Sequence, residues 1–474
     1  MTRLRSRTIR MTFGKPILLF LVISPFAWGS VFVRWSTAEL PSASSLGVAD
    51  IVFTWKDGIS SRVAAARKQG YRVYVEMPIE QATAAAEAGA KAGWTGIILE
   101  IPESENKESE NHLAELRSGY PKLKFLVLNR GGKQPDMRGT LIIKRGSVLE
   151  VSSPTAQPWI DTNLALIRLE QRSRRTQTPL YTFAWDDQGQ QKVLSADDYS
   201  LAVAEAGAFH ADLVLQLDEP LQKALNSRDA DAWTLWNQVR SGLKFSVAGT
   251  ERSLQPAVNV GVVVDQLDAS EEVLNLLSRH NIPFQVFLAV DLKTEELKGF
   301  DVLVVFAKPD WETQKRIKGL ATGGTTVVMV DAHDRYAWQS NPPAQVNEHT
   351  TSYSVANGKV LELSEPVADP EIFAQDIRRL LGKRNSMVSL WNGLTTIAVP
   401  YRDRRETVSL VELVNYAAEP VRVQVQVKGS FRAVRYESPE HRCCESLAHV
   451  NHDGFTEFVI PDLRIAGRVH LESH

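Results

Sequence analysis

The sequence predicts an α/β protein built on a (β/α)8-type barrel, followed by a doubly wound layer and a small β-sandwich. Three observations predict it. From Val31 to Leu243, β-rich apolar runs alternate with helical stretches. Between 258 and 331 come unbroken valine-rich runs, the pattern of strands buried on both faces. Beyond about 385, apolar and polar residues alternate one for one, as in half-buried antiparallel strands.

The N-terminus precedes these units and reads differently. Arg3, Arg5, Arg7, Arg10 and Lys15 carry the first fifteen residues with no acid among them. An apolar run from Pro16 to Trp28 follows, with small residues at Ala27 and Gly29. That is a signal peptide or uncleaved anchor over 1–30, and the run is short of the ~20 residues a spanning helix needs. The chain is expected to be exported: periplasmic, secreted or held at the outer face of a membrane through this segment alone.

In the barrel region (31–250), strand-like runs fall at 31–35, 51–56, 72–77, 96–101, 124–129, 140–144, 180–186 and 212–218. Helical stretches at 60–69, 80–92, 106–118, 158–173, 196–208 and 222–241 lie between most of them. The segment 130–139 is too short and too rich in Gly and Pro for a barrel helix. The sixth strand is therefore equally well placed at 148–152, and the barrel is complete or degenerate.

The second unit (256–384) holds VNVGVVVD, FQVFLAV, DVLVVFA and TTVVMVD, with helices from Ser270 and Trp311. It reads as a flavodoxin-like α/β domain. A polar connection at 335–365 leads to a helix at 370–382. The third unit (385–474) has short alternating strands; Val421, Val423, Val425 and Val427 oppose Arg422, Gln424, Gln426 and Lys428.

Composition excludes several functions. Lys plus Arg number 54 and Asp plus Glu 56, for a net charge of −2, so no whole-chain field draws nucleic acid. The two cysteines, Cys443 and Cys444, are adjacent, which excludes a disulfide framework and a cysteine-rich zinc module. They lie in sequence near His441 and His449 and read as free thiols or a partner contact. Asp331, His333 and Asp334 are metal-type ligands in a loop of common composition. The middle unit has no Gly-rich phosphate loop, and no cofactor or resident metal is expected.

The stretch GFDVLVVFAKPDWETQKRIKGLATGGTTVVMVD (Gly299–Asp331) resembles the trimerisation domain of microbial β-galactosidases. In that family a (β/α)8 catalytic barrel precedes this domain and a small β-sandwich follows it, the order read here. The resemblance implies a glycoside hydrolase acting on carbohydrate, and leaves a homo-oligomer open.

Barrel chemistry belongs at the C-terminal ends of the strands. Strand parity turns Arg34, Lys56, Tyr74, Glu76, Glu100, Asp186, Gln216 and Asp218 inward. Glycoside hydrolysis needs two carboxylates, about 5 Å apart for retention or roughly 6.5–9.5 Å for inversion. By strand count the resemblance places the acid at Glu100 and the nucleophile at Asp186, with Asp218 in reserve. Two departures stand: Leu99 precedes Glu100 where the family has Asn, and Asp186 is shorter than the family's Glu. Arg34, Trp35, Lys56, Glu76, Asn129 and Glu219 are the candidate substrate contacts. A catalytically inactive glycan-binding or envelope-assembly protein on the same scaffold is the alternative; it expects the acids to be tied up with Arg34 and Lys56.

Overall fold

The computed structural model describes residues 31–474 except 102–105, 139–141, 146–147, 152–158, 186–192, 248–253, 266, 268–269, 291–296, 298, 418 and 442. The basic N-terminal segment and Asp186 lie outside the described residues.

The first unit begins β1 (Val31–Arg34), α1 (Ala43–Leu46), β2 (Asp50–Thr54), α2 (Ile59–Lys68), β3 (Arg72–Pro78), α3 (Ala82–Ala92), β4 (Gly96–Glu100), α4 (Asn106–Gly119) and β5 (Lys124–Leu128). After β6 (Asp136–Arg138), β7 (Ile142–Arg145), β8 (Val148–Val151) and β9 (Trp159–Asp161) come α5 (Leu164–Ser173), β10 (Leu180–Tyr181), α6 (Ala196–Ala208), β11 (Asp212–Gln216), α7 (Glu219–Asn226) and α8 (Ala230–Val247). Among the described residues, seven parallel strands make one sheet in the order β10-β11-β1-β2-β3-β4-β5. Its two edges meet at a single parallel bridge between Asn129 and Tyr181. There the Asn129 N–H donates to the Leu180 carbonyl at 2.9 Å and the Thr182 N–H donates to the Asn129 carbonyl at 3.0 Å. The barrel is thus nearly closed with seven strands.

The expected sixth strand is not in it. β7 and β8 pair antiparallel with each other, and β6 pairs with β9. A parallel neighbour needs a crossover of a dozen or more residues, usually a helix. The connection 129–141 has that length, but it carries Gly131, Gly132 and Pro135 and no helix among its described residues, and β7 pairs with β8 instead.

Alternation sorts the barrel side chains. Phe32, Val52, Tyr74, Ile98, Leu128, Leu180 and Val214 form the interior cluster. Their neighbours Val33, Ile51, Val73, Ile97, Leu99, Tyr181 and Leu213 pack outward against the helices in the main core. Gly96 is required at its place, since a Cβ there would lie 2.4 Å from the Lys124 carbonyl oxygen and 2.9 Å from the Tyr74 ring.

The middle region holds β12 (Gln255–Pro256), β13 (Val260–Val264), α9 (Glu271–Arg279), β14 (Phe284–Leu288), β15 (Val302–Val305), α10 (Trp311–Thr322), β16 (Thr326–Met329), β17 (Gln345–Val346), β18 (Thr350–Val355), β19 (Gly358–Leu363) and α11 (Pro370–Leu381). Its sheet runs β14-β13-β15-β16-β19-β18-β17, parallel through β19 and antiparallel beyond. The segment expected as a polar connection thus supplies β17, β18 and β19. Tyr353, Val355 and Val360 are buried in it, and its two-residue turn is Ala356-Asn357, closed by the pairing of Val355 with Gly358.

The last region comprises β20 (Val388–Trp391), β21 (Thr396–Arg402), β22 (Val408–Asn415), β23 (Val421–Lys428), β24 (Phe431–Glu437), β25 (Glu445–Ser446), β26 (His449–His452), β27 (Phe455–Leu463) and β28 (Ala466–Ser473). Two antiparallel sheets form, β12-β21-β22-β28-β24-β25 and β20-β23-β27-β26. Ala398, Val411 and Leu413 of one sheet share a core with Val423, Val425, Val427 and Ile460 of the other. β12 therefore joins this region and not the middle sheet. The Tyr401 hydroxyl donates to the Ala208 carbonyl at 2.8 Å, tying the last region back to α6. No helix among the described residues is long and apolar enough to cross a membrane.

Candidate active site at the barrel mouth

Two residues beyond each interior apolar residue the chain reaches the mouth. Arg34 follows Phe32, Glu76 follows Tyr74, Glu100 follows Ile98 and Gln216 follows Val214, all on the inward face. Arg130 continues the same parity past Leu128.

These side chains form one ionic chain. Arg34 donates from Nε to Glu76 Oε2 at 2.9 Å and from Nη2 to Glu76 Oε1 at 2.8 Å. Its Nη1 donates to Gln216 Oε1 at 3.1 Å. Arg130 Nη2 bridges Glu76 Oε1 and Glu100 Oε1. The bidentate fork of Arg34 fits a carboxylate better than a lysine would.

Depth separates the two acids. The Glu76 side chain is 1% exposed and the Glu100 side chain 29%. Burial pushes the Glu76 carboxyl above its ordinary value, while the Arg34 and then Arg130 guanidiniums, by charge and hydrogen bond, pull the other way. Glu76 is therefore the anchor of the network. Glu100 is the acid of the pair that stands open to solvent at the mouth.

The remaining candidates are placed as follows. Lys56 is exposed and its side chain stands outside the network. Trp35 is 1% exposed; it packs in the helix-side core and donates from its indole N–H to the Glu39 carbonyl at 2.7 Å. It shares its face with Val33, so it presents no ring to the mouth. The Asn129 amide donates to Glu170 Oε1 at 2.8 Å, and its oxygen accepts from the Gly131 N–H at 2.7 Å. It fastens the loop after β5 to α5. Asp218 caps α7, accepting from the Leu221 N–H at 2.6 Å. Glu219 is exposed and pairs with Lys223 one turn on, at 2.7 Å. Trp185 packs edge-on to Phe183 and Tyr199 and donates to the Gln216 carbonyl at 2.8 Å. Trp55 stands half-buried against Trp94.

Sequence reasoning missed Arg130, whose signal was its even spacing from Leu126 and Leu128 into the RGGK segment. It also misjudged the cysteines. Cys443 and Cys444 are joined as a disulfide, not free. Glu437 and His470 bring ligand atoms within 4.8 Å of their sulfurs. The physical reason is that β25 pairs back onto β24, which brings the loop between them to β28. Asp331 and His333 hydrogen-bond to each other at 2.8 Å on the surface.

No family model and no curated protein sequence matches the chain. Among solved structures, α-L-fucosidase isoenzyme 2 from Paenibacillus thiaminolyticus aligns over 94% of this chain and 100% of its own, with a TM-score of 0.60 and 11% identity. A β-galactosidase from Bacillus circulans sp. alkalophilus aligns over 88% of this chain and 66% of its own, with a TM-score of 0.42 and 10% identity. The exo-β-1,4-mannosidase Op5Man5 from Opitutaceae bacterium strain TAV5 aligns over 74% and 93%, with a TM-score of 0.45 and 11% identity. At such identities the fucosidase likeness speaks to fold alone. The chain shares the fold of that fucosidase: a nearly closed parallel seven-stranded barrel with further β-rich regions.

Proposed function

We propose that this protein is an exported glycoside hydrolase that cleaves a glycosidic bond at the barrel mouth with paired carboxylates. One observation carries the reading: Glu100 ends its strand facing inward, open to solvent at the rim and beside Arg130, on a scaffold of this kind. The Arg130 guanidinium sets a cation where negative charge is to be held. That suits the carboxylate that stays ionised in a two-carboxylate mechanism, as nucleophile or charge stabiliser. This reverses the roles that strand count gave the pair: Glu100 becomes the ionised carboxylate, and the proton donor is a second carboxylate, for which Asp186, outside the described residues, is the candidate. Glu76 serves by holding Arg34 and Arg130 in position and does not contact substrate.

Around the barrel, we read the middle sheet as a flavodoxin-like domain, because its parallel strands follow the order second, first, third, fourth, fifth. The two antiparallel sheets are read as a β-sandwich around one core. Export rests on the basic head and short apolar run, and a reporter active only outside the cytoplasm, fused to residues 1–40, tests it.

The activity is tested with a broad panel of aryl glycosides and native oligosaccharides. Hydrolysis of at least one supports the proposal. If glycans bind and none is hydrolysed, the mouth is a binding site and the ion network is its plug.

A further inference from the structure

A second constellation of ligand-type side chains lies on the last antiparallel sheet. One donor atom each from Glu437, Cys443, Cys444 and His470 fall within 4.8 Å of one another. The topology explains the meeting. β24 ends at Glu437, and the chain turns through a loop tightened by Ser438, whose Oγ accepts from the Glu440 and His441 N–H groups. It passes the two cysteines and returns as β25 against β24. β28 lies on the other side of β24 and brings His470 and Arg468 alongside.

The cluster is held from behind. Arg468, itself 1% exposed, donates to Glu437 Oε1 at 3.0 Å and to Glu412 Oε1 at 2.6 Å. His470 Nε2 lies 3.0 Å from the same Glu437 oxygen. The carboxylate and imidazole are therefore oriented before any ion arrives, the arrangement that outer-shell partners give to metal ligands. The cysteines are bonded to each other in this state.

We infer that reduction of the Cys443–Cys444 disulfide opens a four-ligand site for a borderline-soft divalent cation of the zinc class, made of two thiolates, the His470 imidazole and the Glu437 carboxylate. Two sulfurs, one nitrogen and one oxygen suit tetrahedral zinc. Bonds of ~2.0–2.3 Å put tetrahedral ligand atoms roughly 3.5 Å apart. Reduction lets the two sulfurs part from bonding distance toward that spacing, while the Glu437 oxygen and the His470 nitrogen start within 4.8 Å of them. The ion takes the place of the hydrogen bond between His470 and Glu437. The chemistry balances with a phosphine as reductant. The S–S bond breaks, the phosphine takes up the oxygen of one water to become its oxide, and two S–H groups form. Both thiol protons pass to solvent when the cation binds.

The test uses the full chain, stripped of metal, in its oxidised form and after phosphine reduction, titrated anaerobically with Co2+ and then Zn2+. The reduced chain should take one Co2+ with a thiolate-to-metal charge-transfer absorption, which Zn2+ then abolishes. The oxidised chain should show neither. Cys443→Ser and His470→Ala should each weaken Zn2+ binding by at least about tenfold with unchanged circular dichroism. A reduced chain without the thiolate absorption overturns the inference. So does an oxidised chain that binds as tightly, or variants that bind like the unmodified protein. The oxidised–reduced comparison needs no substitution, so a variant that misfolds leaves the test decisive.

Discussion

Glu205, on α6, is fully buried and gathers four hydrogen bonds. Its Oε1 accepts from the Thr162 hydroxyl at 2.7 Å, the Asn163 N–H at 2.9 Å and the Tyr416 hydroxyl at 2.7 Å. Its Oε2 accepts from the Asn163 amide at 2.7 Å. Tyr416 follows β22, so this one carboxylate joins the barrel to the last antiparallel region. Glu205→Ala removes the acceptor. The Tyr416 hydroxyl retains Thr162 Oγ1 at 3.0 Å, and the Asn163 amide retains the Lys133 carbonyl at 2.8 Å. Two donor hydrogens on Asn163 and one of the two hydroxyl hydrogens lose their partner, at ~1–3 kcal/mol each, so the loss is ~3–9 kcal/mol before any cavity term. Glu205→Gln preserves shape and three acceptor contacts but sets its NH2 against the Asn163 amide, costing ~1–3 kcal/mol. Burial raises the Glu205 carboxyl above its ordinary value, against the pull of the Asn163, Tyr416 and Thr162 hydrogen bonds. A raised folded value means that this group's contribution is fully present below its unfolded value of about 4.3 and is lost as pH rises through the folded value. The advantage of the unmodified protein over Glu205→Gln should then widen as pH falls from 7 toward about 4.3. Urea unfolding followed by tryptophan fluorescence and circular dichroism measures both effects, with coincident transitions as the check on two-state treatment. A Glu205→Ala loss below about 1 kcal/mol, or a gap to Gln that narrows as pH falls, would refute the reasoning.

Two further outcomes follow from other ion pairs. Glu76→Ala leaves Arg34 with Gln216 alone and should cost ~3–5 kcal/mol, whereas the double change Arg34→Met with Glu76→Leu should fall within about 1.5 kcal/mol of the unmodified protein; chemical denaturation compares them. Glu371 lies against His280 at 2.9 Å and Arg279 at 3.6 Å. Burial raises its carboxyl, but hydrogen bonds from His280 and Gln375 and the Arg279 charge outweigh that and bring it down to about 2. Its contribution is therefore present above about pH 4.3 and lost as pH falls toward 2. Glu371→Gln should flatten the acid limb of the stability–pH curve in that window, and an unchanged limb would count against the pairing.

Much of the barrel was legible because its signals are local. The alternation at 72–77 and 96–101 turned Tyr74, Glu76 and Glu100 inward from the sequence alone, as the interior cluster and mouth network have them. The same rule set Trp35 beside Val33 on the outer face, so its burial in the core was readable once parity was preferred to residue type. The apolar run at 140–144 misled because composition cannot tell a barrel strand from a hairpin arm; the pairing partner decides. The polar alternation in TSYSVANGKVLEL hid a hairpin whose outer strands need few apolar residues. Glu205 sits in an alanine-rich helix and meets Tyr416 from a distant part of the chain, so nothing near it marks it. Arg130 was missed because periodicity stops where the strand stops, and the side chain extends past it to the mouth.

The central claim is that Glu100 does chemistry at the barrel mouth. The most direct measurement is kcat/KM for the best aryl glycoside of the panel with the unmodified protein and with Glu100→Gln, at matched melting temperature. Glu100 is partly exposed and Gln is isosteric, so the fold should persist while turnover falls by ~10²–10⁴-fold. Full activity in Glu100→Gln would contradict the assignment and remove the carboxylate on which the proposed mechanism depends.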